Sequence, residues 1–320
     1  MVTTTDLPPA ELDDWFDDAP AAPEFGVRAG RYRFPAPPGT KDNPRGWMRV
    51  SNLAGAFSDQ RALQLWLERE TLKGLRAADD LYDLLCAQPP EELTDDFLTA
   101  VADRARERVG ANAASVRGTA RHTMLQGYLE TGAINGTATM RLQLVELLDV
   151  LEAAQLELLT PYSERFVWHP IAGGTMGRLD ARVRCRLTGQ VGVIDLKTKR
   201  KKFWTMQEVA GQQAGYSDAP WMWEGPPDKT GRWAPAPRNT LIGTSPQCLG
   251  KRVALIAHMP QIALPADHPD HVPVHIREVD IEYGAQVLQC AARNVELRSV
   301  GKAASEKRQV HGLRSPAIVR

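Results

Sequence analysis

The sequence predicts an α/β fold in which a mixed central sheet is flanked by helices, with a helical segment ahead of that core. Three observations carry this expectation. Apolar residues recur at helical spacing from Trp47 to about residue 158, and after Pro161 the period drops to two. The 320 residues are also 43% apolar, enough to bury a sizeable core.

The elements follow in order. Residues 1–46 are rich in Pro and Asp without any period, and read as an acidic tail. Residues 47–110 read as a helical segment. In it Ser58-Asp59 caps a helix whose apolar side is Ala62, Leu63, Leu65, Trp66 and Leu67, running to Gly74, with further helices around 78–87 and 91–108. Gly110 to Gly118 reads as a connector, and Thr119 as the start of a helix that stops at Gly132. A helix over 139–158 has Leu142, Leu144, Val145, Leu148, Val150 and Leu151 as its buried stripe.

Strands are expected at Glu164–His169, Gly177–Leu187 and Val191–Thr198. A helix follows at Thr205–Tyr216, then strands at Arg252–Met259 and Val274–Tyr283, and a last helix over 284–299. Residues 111–299 thus form the core, with a Pro- and Trp-rich insert at about 217–250, and residues 300–320 a basic tail. A Trp- and Pro-rich insert of this kind more often packs on its own body than stacks on bases.

Lys plus Arg and Asp plus Glu are matched at 39 each, so no global field announces a partner. The balance hides an asymmetry: seven acids and no Lys or Arg lie in the first 25 residues, leaving 39 cations against 32 acids beyond them. The acidic leader could therefore cover a basic groove. Cys86, Cys185, Cys248 and Cys290 form no C-x-x-C pair, which points to a reducing compartment. No signal peptide and no run of apolar residues long enough for a membrane span is apparent, so the expectation is a soluble, cytoplasmic protein with no membrane partner.

The chemistry-bearing segment is Gly177-Arg-Leu-Asp180 followed by Val191-Gly-Val-Ile-Asp195-Leu-Lys197. Alternation puts Asp195 and Lys197 on one face of a strand and Ile194 and Leu196 on the other. A turn centred between Thr188 and Gly189 would set Asp180 across from Lys197 and diagonal to Asp195. Two converging acids repel, so without a cation at least one has a raised pKa. Oxygen-rich ligation suits magnesium or manganese better than zinc. Taken alone, a D-x-K triplet is usually a surface ion cluster. Two flanking helices add weight: Gly118-Thr-Ala-Arg-His122, and Thr205-Met-Gln-Glu208 leading into Gly211-Gln212-Gln213-Ala-Gly215-Tyr216, where Gln212 and Tyr216 share a face.

In this order, from Gly118 to about Tyr283, the residues resemble the RecB-like branch of the restriction-endonuclease-like nuclease superfamily. Residues 47–75 also look like the leader of nucleases from bacteriophages of actinobacteria. The resemblance implies a metal-dependent DNA exonuclease serving phage recombination or replication, with DNA ends as substrate and a recombination protein as possible partner. It implies His122, Asp180 and Asp195 as metal ligands, completed by the Leu196 carbonyl. Lys197 would orient or deprotonate the attacking water, Gln212 and Tyr216 would brace the site or hold the strand, and Glu164 would be an accessory acid.

Some relatives hold an iron–sulfur cluster on one cysteine before the core and three after it. That spacing is missing here, so no iron–sulfur cluster is expected. The histidines of His268-Pro-Asp-His271-Val-Pro-Val-His275 lie in a Pro-broken loop and read as solvated rather than zinc-binding. Lys199, Arg200, Lys201 and Lys202 follow the D-x-K strand and are expected to touch the DNA backbone. A rival reading is a nuclease-fold protein that binds DNA or a partner without cutting. The intact Asp180, Asp195 and Lys197 favour the enzyme.

Overall fold

A computed structural model describes residues 27–28, 31–43, 45–56, 61–111, 113–199, 206–225, 230–260, 268–269 and 271–309. The chain begins with three short strands, β1 (Val27–Arg28), β2 (Arg31–Tyr32) and β3 (Trp47–Arg49). Helices α1 (Val50–Gly55), α2 (Arg61–Arg76), α3 (Asp79–Ala87), α4 (Asp95–Arg108), α5 (Ala113–Thr131) and α6 (Ala138–Ala153) follow. Next come β4 (Leu156–Leu159), β5 (Arg165–His169), β6 (Thr175–Leu179), β7 (Ala181–Cys185) and β8 (Val191–Lys199). The remainder is α7 (Met206–Ser217), β9 (Trp221–Glu224), β10 (Arg232–Pro235), β11 (Val253–Pro260), β12 (His275–Asp280) and α8 (Ile281–Gln309).

The expected α/β class holds, with one change of plan: the strands form two mixed sheets rather than one. One runs β1-β2-β3-β6-β5-β9-β10 and the other β12-β11-β8-β7-β4. Each contains one parallel pair, β3 with β6 and β8 with β11. The chain passes from the first sheet to the second between Leu179 and Ala181, so the expected continuous strand Gly177–Leu187 is broken at Asp180. That corner positions the site.

In the five-stranded sheet, alternation sorts side chains to two faces. Ile194, Leu196, Leu255, Ala257 and Met259 join Met124, Leu125, Leu144, Leu147 and Leu151 of α5 and α6 in one core. Val193 and Ala254 join Val50, Ala214 and Ile281 on the opposite side, where α7 lies. Each fully buried Leu or Ile contributes about 1.5–3 kcal/mol, so this alternation fixes which face of β8 carries Asp195. Gly211 and Gly215 of α7 face α8 and α1, the close approach their size suggests.

Several expected boundaries move. Helix α5 begins at Ala113 rather than at Thr119, so Gly118 is helical and His122 lies in its third turn. Helix α6 ends at Ala153, and Gln155 takes a left-handed backbone (φ 56°) before β4, so the apolar run to 158 is helix up to Ala153 and strand from Leu156. Its buried side is Met140, Leu144, Leu147 and Leu151, while Leu142 is 68% exposed. The last helix continues to Gln309, into the stretch read as a tail. Ser58, Asp59 and Thr205, the expected caps, lie outside the described residues.

The β7–β8 register also differs. Ala181 faces Ile194 and Val183 faces Gly192, which brings Asp180 level with Asp195 instead of Lys197. A two-residue turn on Thr188-Gly189 would need positive φ at both positions, which a β-branched residue resists. The chain instead closes a wider loop, with the Gly189 N–H donating to the Cys185 carbonyl and Gly189 alone left-handed (φ 72°). The partner shifts by two residues, so no side chain changes face.

The Trp-rich insert packs on the body, as expected. Trp223 and Trp233 cross edge-on with centroids 5.1 Å apart, and both sit against Phe34. Trp221, Trp168, Trp47 and Phe166 complete the cluster. Among the described residues no helix is long and apolar enough to cross a membrane.

Candidate metal centre

Four elements deliver the site. Helix α5 supplies His122, the residue just before β5 supplies Glu164, the corner between β6 and β7 supplies Asp180, and β8 supplies Asp195 and Lys197. Glu164 is held in a left-handed conformation (φ 50°), and its N–H donates to the Asp180 carbonyl at 3.0 Å. For a residue other than glycine that geometry costs on the order of 1–3 kcal/mol and persists only where the surroundings impose it. The two chain segments are thus pinned acid to acid.

His122 Nδ1 lies 3.2 Å from Asp180 Oδ1 and 4.0 Å from Glu164 Oε1. One ligand atom from each of His122, Glu164 and Asp180 falls within 4.8 Å of the others, so the three could hold a metal ion. Asp180 Oδ2 accepts from the Leu196 N–H at 2.6 Å. Along an extended strand the N–H and C=O of one residue point to the same side, so the Leu196 carbonyl shares that edge, beyond the last β7–β8 pair.

Asp195 stands beside this trio. Its buried carboxylate lies 2.7 Å from Lys197 Nζ, off the direction of a hydrogen bond, and Oδ2 has no hydrogen-bond partner among the described residues. Lys197 Nζ donates to Gln212 Oε1 at 3.3 Å, and Gln212 Nε2 donates to the Tyr216 hydroxyl at 2.8 Å. A side chain on Gly177 would overlap the Tyr216 ring, so the glycine is what lets Tyr216 reach this position. Gln212 and Tyr216 therefore brace Lys197, while Gly177 makes room for the brace.

The electrostatics follow from burial. Glu164 is pushed up to about 7 by desolvation and by Asp180, against the pull of Arg178 and His122. Burial raises Asp195 as well, more than Lys197 lowers it. Asp180 is buried too, yet His122, Lys197 and the Leu196 N–H together hold it below the usual carboxylate range. His122 and Lys197 are raised because the surrounding carboxylates outweigh their own desolvation. The expectation that crowded acids include at least one with a raised pKa holds, and Glu164 and Asp195 are the ones affected.

His122, Glu164, Asp180, Asp195, Lys197, Gln212 and Tyr216 lie together at this corner. Lys199 ends β8, while Arg200, Lys201 and Lys202 lie outside the described residues. The reading missed Arg178, whose Nε is 2.7 Å from Glu164 Oε2. Strand alternation from Asp180 could have found it. No protein-family model matches the chain, and no curated protein matches its sequence.

This donor set could hold a metal ion. Two carboxylates and an imidazole converge, one further buried carboxylate oxygen lacks a hydrogen-bond partner, and hard oxygen donors predominate.

Proposed function

We propose that the chain is a metal-dependent deoxyribonuclease with a restriction-endonuclease-like core, acting as an exonuclease on linear DNA in recombination or replication. The observation that carries this reading is the convergence of His122, Glu164, Asp180 and Asp195 with Lys197 at the corner between the sheets. Four carboxylate and imidazole groups so close, with one acid raised to about 7, are costly to a fold that has no use for them.

His122, Asp180 and Glu164 would hold magnesium or manganese, with Asp195 and the Leu196 carbonyl alongside. Such an ion supplies Lewis acidity toward phosphoryl oxygens. Lys197 stays protonated, because carboxylates raise its pKa, so its role is to stabilise negative charge and orient water rather than to remove a proton. Asp195 and Gln212 aim the ammonium, and Tyr216 fixes Gln212. Lys199, Arg200, Lys201 and Lys202, close behind Lys197 in sequence, would add charge for the DNA backbone.

The test is cleavage of end-labelled linear DNA and of circular DNA, each with Mg2+ or Mn2+ and with EDTA. Metal-dependent loss of the linear substrate alone is expected. Cleavage by neither metal, or an unchanged rate in Asp195→Ala or Lys197→Ala, would remove the assignment.

A further inference from the structure

One cation at the site has no part in the proposed reaction. Arg178 stands two residues before Asp180, and its side chain is 44% exposed while Glu164 beneath it is 10% exposed. Glu164 engages the guanidinium at Nε. Among the described residues Nε is the guanidinium nitrogen nearest that carboxylate, 2.7 Å from Oε2. A guanidinium is a rigid plane of five donors. The contact is an ion pair off the direction of a hydrogen bond, and a guanidinium has a donor fork that matches two non-bridging oxygens of a phosphodiester.

The charges around it argue for a substrate role. Glu164, Asp180 and Asp195 repel a phosphate that passes outside a bound metal, and Lys197 stands at Asp195 and Gln212 rather than at Glu164. Arg178 is more exposed than either Lys197 or His122, and it shares Glu164 with His122. We infer that Arg178 grips a backbone phosphate of the nucleic acid, oriented for that purpose by Glu164. This deepens the nuclease reading and rests on it.

The experiment compares the full-length protein with Arg178→Gln, Arg178→Lys and, as a surface control, Arg184→Gln. Binding of a short labelled duplex in EDTA is followed across a salt series, and KM and kcat are measured with Mg2+. Losing one phosphate contact should reduce the slope of log affinity against log salt by about 0.9 in Arg178→Gln. KM should rise about tenfold or more, by a larger factor than kcat falls. Arg178→Lys keeps the charge and should restore the slope while leaving KM raised, because a lysine has no fork. Arg184→Gln should keep the wild-type slope.

A wild-type slope and KM in Arg178→Gln overturn the inference while leaving the nuclease reading intact. Equal slopes for the Gln and Lys variants overturn it too, since charge would then be irrelevant. If the wild type cuts no DNA with either metal, the nuclease reading falls. In that case the slopes in EDTA still decide whether Arg178 contacts phosphate, and absence of DNA binding by the wild type removes both.

Discussion

The D-x-K strand and the Trp-rich insert are the two most unusual stretches of this sequence, and the fold treats them in opposite ways. The insert brings Trp221, Trp223 and Trp233 into an aromatic cluster, and the Trp233 Nε1–H donates to the Pro35 carbonyl. Strand β8 brings charge into the interior, where Asp195 is 2% exposed and keeps an oxygen without a hydrogen bond. The cluster buries mainly apolar rings, which is what a core does. Around β8, by contrast, carboxylates are crowded where a metal ion could be held.

That contrast can be broken by mutation. The largest effect is expected at the site: Asp195→Ala or Lys197→Ala should lower DNA cleavage by about a thousandfold or more while the circular dichroism spectrum stays native. Trp223→Ala should do the reverse, costing roughly 3–5 kcal/mol of unfolding free energy while the rate per folded molecule is kept. Urea denaturation beside a cleavage assay separates the two; a stable but inactive Trp223→Ala would undo the comparison.

The crowded acids also predict a pH dependence. Glu164 is raised from 4.5 to about 7 in the fold, so its contribution to the stability of the metal-free protein is complete below 4.5 and lost as pH rises through 7. Up to about 3 kcal/mol is at stake. Melting temperatures in EDTA should fall across that window, and Glu164→Gln should flatten the fall. The smallest effect is metal stabilisation: Mn2+ at about a hundred times its Kd should add about 2.7 kcal/mol, more at higher pH as His122 and Glu164 give up protons. A thermal shift that ignores pH would sharpen the assignment toward Asp180 and Asp195 alone.

Much of this arrangement was legible in the sequence, because alternation is a local property. Asp195 and Lys197 on one face of β8 and Ile194 and Leu196 on the other follow from the period of a strand, and the Gln212–Tyr216 pair from the period of a helix. What was not legible depends on where the chain turns. The wider loop at Gly189 moved the partner of Asp180, and the break at Asp180 split one expected strand between two sheets. The left-handed Glu164 has no sequence signature; only the corner reveals that it stands with His122 and Asp180. Alternation with Asp180 places Arg178 on the same face, but its pairing with Glu164 depends on that same corner.

The most direct test is a titration with Mn2+ followed by the electron paramagnetic resonance signal of the free ion. The wild type should remove Mn2+ from solution, and His122→Ala, Glu164→Gln and Asp180→Asn should each weaken that uptake while remaining folded. Uptake equal to wild type in all three variants would show that these side chains hold no metal, and the account built on them would fail.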